Sequence, residues 1–317
     1  MRLCKLVLIV TMALVVSSGC VNQSQEYGDG VKILEFGPDM ERVYPGEIVN
    51  FRVRFQNVGS VKAENVFAEL LGIDEDWRDE GFQQGGPWHG GEKLPNEVEC
   101  RYTSKGKWIT LMPPDPLFGT GGEIRTCTWT YKAPANLPRD MEKVYPLTVR
   151  VFYDYRTDVV KVLPVLSREE LISLKDRGKS IPLGTQSSTH SPIKIDVRAE
   201  TPIRILDKNS VEFPMVIDIQ NVGGGTACLK GECKKAWGGE WNKISLEIKA
   251  DSGIDLGECE SFRKKAVVDL YKGKHNTIKC YVKVTGVESD VAYKEIRVSA
   301  VYSYFVDAES MITVGSG

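Results

Sequence analysis

Residues 49–70 read VNFRVRFQNVGSVKAENVFAEL, and residues 213–233 read FPMVIDIQNVGGGTACLKGEC. Both carry Gln-Asn-Val-Gly, at 56–59 and at 220–223, with an Ala four residues after the Gly. Upstream, Val49, Phe51, Val53 and Phe55 alternate with polar residues, and Phe213, Met215, Ile217 and Ile219 alternate in the same register. Alternation with a period of two predicts a strand with one buried face. Asn and Gly both tolerate positive φ, so the shared motif is expected to turn the chain.

The likeness extends outward from these stretches. EVECRYTSKGKW (97–108) is echoed by LGECESFRKKAV (256–267), and IRTCTWTYKAP (124–134) by TIKCYVKVTG (277–286). Each copy closes on a stretch read as a pair of strands, LTVRVFYDYRTDVVKVLPV (147–165) and IRVSAVYSYFVDAESMITV (296–314), with Tyr153-x-Tyr155 matching Tyr302-x-Tyr304. Matches in one order define an internal repeat, and strand signals broken by Gly, Pro and Asn turns predict an all-β chain. The expected architecture is two tandem immunoglobulin-like β-sandwiches over 31–165 and 193–317. Between them, 166–192 opens with a helix cap at Ser167 and is otherwise a polar linker, expected to leave the two modules some freedom.

Residues 1–20, MRLCKLVLIVTMALVVSSGC, explain the compartment. Arg2 and Lys5 precede an apolar run too short to span a bilayer comfortably, which is the form of an export signal. Small residues then lead to Cys20, in a pattern resembling the lipobox of prokaryotic lipoproteins, although Ser17 stands where Leu is usual. Residues 1–19 are thus expected to be a signal peptide, Cys20 a lipid attachment point, and 20–30 a tether at the extracellular face of the membrane. An ordinary cleaved signal or an uncleaved anchor is the alternative.

On an exported chain, the six remaining cysteines read as disulfides. The repeat pairs Cys100 with Cys127 and Cys259 with Cys280, leaving Cys228 and Cys233 to join across CLKGEC. A four-cysteine zinc site in the second copy competes with this, but a Cys-x4-Cys spacing is loose for zinc.

The stretch YPGEIVNFRVRFQNVGSVKAENVFAEL (44–70), with WTYKAP (129–134) and LTVRVFYDY (147–155), resembles the CARDB family of immunoglobulin-like domains from archaeal and bacterial surface proteins. That resemblance implies adhesion or spacer modules and offers no catalytic residues. The chain departs from it by its disulfide pairs and by insertions at 72–99 and 105–124.

Little in the sequence points to chemistry. Forty-one basic and 43 acidic side chains nearly cancel, which argues against nucleic acid as a partner. No hydrolase, zincin or phosphate-loop motif occurs. The acidic run Asp74, Glu75, Asp76, Asp79, Glu80 lacks the spacing of a calcium loop and reads as solvated, so no metal or cofactor is expected. His190 and His275 fall in loops. Function is expected where the copies differ: at Trp77, Phe82, Trp88 and His89 in one insertion, at Trp108 and Phe118 in the next, and at Trp237 in the second copy, because interfaces favour such side chains. Burial of those insertion aromatics against the sheet is the competing reading. The expected activity is non-enzymatic binding or adhesion to an envelope protein or glycan. The alternative is a glycan-active enzyme, or a glycan-binding accessory protein using the 72–124 loops.

Overall fold

The computed structural model describes residues 30–80, 82–83, 93–94, 100, 107–138, 140–205, 210–234, 240–285 and 291–315, the two short pairs by backbone alone. The predicted signal and Cys20 lie outside the described residues. Ten main strands follow the repeat. The first copy supplies β1 (Val31–Pro38), β2 (Ile48–Asn57), β3 (Ala63–Leu71), β4 (Ile124–Lys132) and β5 (Glu142–Ser167). The second supplies β6 (Ile193–Ala199), β7 (Ser210–Asn221), β8 (Lys243–Ala250), β9 (His275–Thr285) and β10 (Val291–Gly315). The all-β expectation holds, and in β2 the predicted inward residues Val49, Phe51, Val53 and Phe55 are all fully buried.

The arrangement of the copies differs from beads on a linker. β1–β2–β4 and β6–β7–β9 form two separate small sheets, each with a short edge strand. Both pack on one shared ten-stranded sheet whose middle is β5 paired with β10. These two strands run antiparallel without a register shift from Glu142↔Gly315 to Leu166↔Val291. The first half of β5 pairs with β3 in one lobe, and its second half extends over the other lobe. β10 does the reverse, pairing with β8 in its own lobe and reaching Arg42–Val43 of the first at its far end. Most buried apolar residues of both lobes form one contiguous core.

Residues 166–192 are correspondingly not a loose polar tether. Helix α1 (Arg168–Asp176) is capped by Ser167, whose hydroxyl accepts from Glu170 N, and Thr185–Ser188 adds to the sheet beside β5. The His190 carbonyl accepts from Ser60 N in the first copy.

A pseudo-twofold axis passes through the pair Asp154↔Ser303. The repeat exchanges Tyr153↔Tyr304 with Tyr302↔Tyr155, as in an isologous dimer fused into one chain. Four tyrosine rings meet there, with Tyr153 5.7 Å from Tyr304 and Tyr155 6.4 Å from Tyr302. The Gln-Asn-Val-Gly motif serves this centre. Asn57 and Asn221 end β2 and β7 as buried hubs, not as positive-φ turn residues. Asn221 Nδ2 donates to the carbonyls of Gly225 and Gly273, both at 3.0 Å, and Asn57 Nδ2 to those of Val61 and Leu111 at 2.8 and 2.9 Å. Each Oδ1 accepts from a tyrosine hydroxyl of the long strands: Tyr304 at 2.7 Å and Tyr155 at 3.4 Å. A Cβ on Gly59 would collide with the Tyr155 hydroxyl, which is why that position is glycine.

These unequal distances predict unequal costs. Tyr304→Phe should destabilise the protein by about 1–3 kcal/mol, because it strands buried Asn221 and the amide of Gly225, whereas Tyr155→Phe removes only long bonds and should cost less than about 1 kcal/mol. Urea denaturation of the two variants checks this, and equal costs would refute it.

Two disulfides are present, Cys228–Cys233 and Cys259–Cys280. The expected Cys100–Cys127 bond is not: both residues are buried thiols. The strand register explains the error. β4 pairs Phe51 with Trp129 and Val53 with Cys127, while β9 pairs Met215, the counterpart of Phe51, with Cys280. Trp129, not Cys127, therefore occupies the position of Cys280, and Cys127 lies one full pleat away along the strand.

Candidate functional site

In β5 and β10 the inward residues fill the core, and most outward ones are exposed or half-buried. Away from the strand ends the exception is the centre of the sheet, where Phe152, Asp154, Ser303 and Phe305 are buried on the outer face. A second apolar cluster forms there from Phe152, Phe305 and the disulfide Cys228–Cys233, with Phe67 and Trp241 packed against it. What covers them comes from an interrupted strand. In the first copy β3 slips by one residue beside β5, between Phe152 and Asp154. Asn65, at this bulge, takes φ 50°. In the second copy the same place holds a long excursion. Thr226–Cys228 pairs with β10, the chain leaves through CLKGEC, and β8 rejoins β10 from Ser245. That excursion folds across the axis onto the first copy.

The loop is held firmly. Its disulfide closes it, Trp241 Nε1 donates to the Cys233 carbonyl at 2.9 Å, and Gly231 N donates to Ser303 Oγ at 2.8 Å. Arg150 forms a two-pronged pair with Asp307 and lies 4.1 Å above the Phe305 ring. Lys234 pairs with Glu69 and sits 4.4 Å above the Phe67 ring.

Between the loop and β3 is a cavity of about 390 Å³, with Asn65, Phe67, Trp108, Asp154, Lys234 and Ser303 on its walls. This volume falls within the range of small-ligand pockets. Phe67 stacks on Phe152 at 4.6 Å, and Trp108 stands 6.1 Å from Phe67 with 45 % of its surface exposed. Asp154 is 9 % exposed and accepts from Asn65 Nδ2 at 2.8 Å and from Ser303 Oγ, while Lys230 Nζ lies 3.7 Å away.

Of the predicted partner-binding aromatic side chains that are described, Trp108 is the one that lines this cavity. Trp77 is a correction: it is a core residue, 5 % exposed, edge-on to Phe51 at 5.7 Å and to Tyr145 at 5.2 Å. The turn from Asp74 tucks the indole between the sheets and leaves the acids outside, where Asp74 and Asp76 pair with Lys143 at 3.0 and 3.8 Å. Phe118, 81 % exposed, sits in the turn that Asp115 braces and does not line the cavity. Phe82 is described by its backbone, paired with Leu94. Trp88, His89 and Trp237 lie outside the described residues. Among the described residues no group of acidic, histidine and cysteine side chains could hold a metal ion.

Asn65, Phe67, Asp154, Lys234 and Ser303 carry no motif that would single them out. Their only advance signal is that Asp154 and Ser303 each lie between the two tyrosines of the repeated Tyr-x-Tyr.

No family model matches the chain. No curated protein matches it by sequence. Among solved structures, the chain is similar to a protein of unknown function from Porphyromonas gingivalis W83, with 8 % identity over 81 % of this chain and 83 % of that one and a TM-score of 0.20. It is also similar to the sporulation control protein Spo0M of Bacillus subtilis, with 9 % identity over 79 % and 89 % and a TM-score of 0.19. A third is the Enterococcus faecalis MSCRAMM ACE, described as binding its ligands by the collagen Hug model, with 7 % identity over 90 % and 95 % and a TM-score of 0.14. At such scores these likenesses carry no argument about function.

Proposed function

We propose that this chain is a non-enzymatic surface protein, anchored through Cys20, that binds another component of the cell envelope through the outer face of its shared sheet. The observation that carries this reading is the cavity at the sheet's centre, where a half-exposed tryptophan and a cross-linked loop meet on a rigid base. An exported location agrees with the two disulfides, since thiols outside the cytosol oxidise. Among the described residues no helix is long and apolar enough to cross a membrane. The CARDB-like repeat fits a scaffold that presents such a surface.

The test is sedimentation of the purified chain, starting at Val21, with washed envelopes of the source cells. Trp108→Ala should weaken binding about 30-fold, the effect of losing an interface hot spot of about 2 kcal/mol. Unchanged binding by a folded Trp108→Ala protein would place the contact elsewhere. Turnover of an envelope polysaccharide by the protein would replace the binding reading with an enzymatic one.

A further inference from the structure

The same cavity supports a choice of ligand. From its lining we infer that it takes a neutral saccharide unit, an inference that rests on the outer face being the binding surface. Charge comes first. The two lysines at the site, Lys230 and Lys234, are matched by Asp154 and Glu69. An anionic or cationic ligand would have to displace one of these pairs, whereas an uncharged one would not.

Polarity comes second. One wall is aromatic, built from Phe67 over Phe152 with Trp108 beside it. The floor is polar and paired, with the Asn65 amide and the Ser303 hydroxyl each donating to the Asp154 carboxylate. A purely apolar ligand, such as an aliphatic side chain, would cover that floor without replacing the water it loses, which is unfavourable. A sugar ring has the matching two-sided character. Its C–H face suits the electron-rich face of an indole or phenyl ring, and each rim hydroxyl both donates and accepts. The carboxylate and the amide oxygen would take hydroxyl protons, while the amide N–H and the Lys234 ammonium would donate to hydroxyl oxygens.

Preorganisation comes third. The disulfide, the Trp241–Cys233 bond and the Gly231–Ser303 bond fix the loop, and the bulge fixes Asn65. Little ordering is left for the ligand to bring about, so a small, weakly held molecule can be recognised.

The test is a glycan array carrying neutral, anionic and cationic oligosaccharides, probed with the chain from Val21, followed by titration of the strongest binder. Neutral glycans should bind. Trp108→Ala and Asp154→Asn should each weaken binding at least tenfold, while Phe118→Ala, an exposed aromatic that does not line the cavity, should bind like wild type. Asp154 is buried, so Trp108→Phe, which keeps a smaller ring and should bind with intermediate affinity, guards against misfolding of the Asp154 variant. A preference for charged glycans, no binding to any neutral glycan, or neutral-glycan binding indifferent to Trp108→Ala would each overturn the inference. If sugars fail but Trp108→Ala still abolishes envelope binding, the saccharide inference falls and the surface reading stands. If envelope binding is also indifferent to Trp108, both fall.

Discussion

Residues 30–181 produced alone are expected not to fold, and neither are residues 182–317, whereas the two produced together should form a stable one-to-one complex. Each lobe is completed by the other copy's long strand. Without β10 the first lobe loses Ile312 and Val314, both fully buried, and β5 loses its partner along its whole length. Without β5 the second lobe loses Val159, Leu163 and Val165, which are equally buried. At about 1.5–3 kcal/mol for each buried aliphatic side chain, either loss is comparable with the whole stability of an ordinary domain, about 5–15 kcal/mol. The cut after Ile181 removes one peptide bond and no strand, so the mixed halves retain every pairing. Size-exclusion chromatography and thermal melts decide the matter. A fragment 30–181 that melts cooperatively on its own near the temperature of the intact chain would show the lobes to be independent.

Alkaline pH is expected to unfold the protein abruptly. Burial raises the Tyr153 phenol far above its usual range, helped by its tyrosine neighbours, and burial likewise raises Tyr155 and Tyr302, against the hydrogen bonds each makes. All three therefore keep their protons in the folded chain under conditions where unfolded tyrosine loses them. Their contribution is complete below about pH 10 and is lost as pH rises above it, at about 1.4 kcal/mol per pH unit for each group. Three groups acting together remove about 4 kcal/mol per unit, enough to exhaust a typical stability within two to three units. Phenolate absorbance followed alongside circular dichroism should show these tyrosines ionising only as the sheet signal collapses. If all 12 tyrosines ionise near pH 10 with the sheet intact, the tyrosine centre is more open than described.

The sequence carries the strands themselves plainly, because one face of β2 and one face of β7 are apolar at every second residue. It also carries the repeat, and Asn57 and Asn221 recur because both copies need the same buried hub. The joining of β5 to β10 is not legible. A strand buried on one face reads the same whether its neighbour belongs to its own copy or the other, and the polar residues after Ser167 resemble a tether even though part of them pairs with β5. Matching letters misled at Cys127, where identity suggested one alignment and the pleat enforces another. Trp77 stands amid acids that belong on the surface, and only the turn at Asp74 sends its ring inward. The cavity was legible only at Trp108, since Phe67, Asp154 and Ser303 meet through the bulge and the joined strands.

The pairing of β5 with β10 also sets a timetable. Asp154 meets Ser303 across 149 residues of chain, so the centre of the molecule closes only after nearly all of it has been made. Contacts this distant in sequence slow folding, because the loop must be closed before any pairing rewards it. As the chain is made, β5 waits with an unprotected edge until the final strand arrives. Such an edge readily pairs with another chain. Newly made copies crowded together would thus be prone to swap long strands, with the β10 of one molecule closing the first lobe of its neighbour.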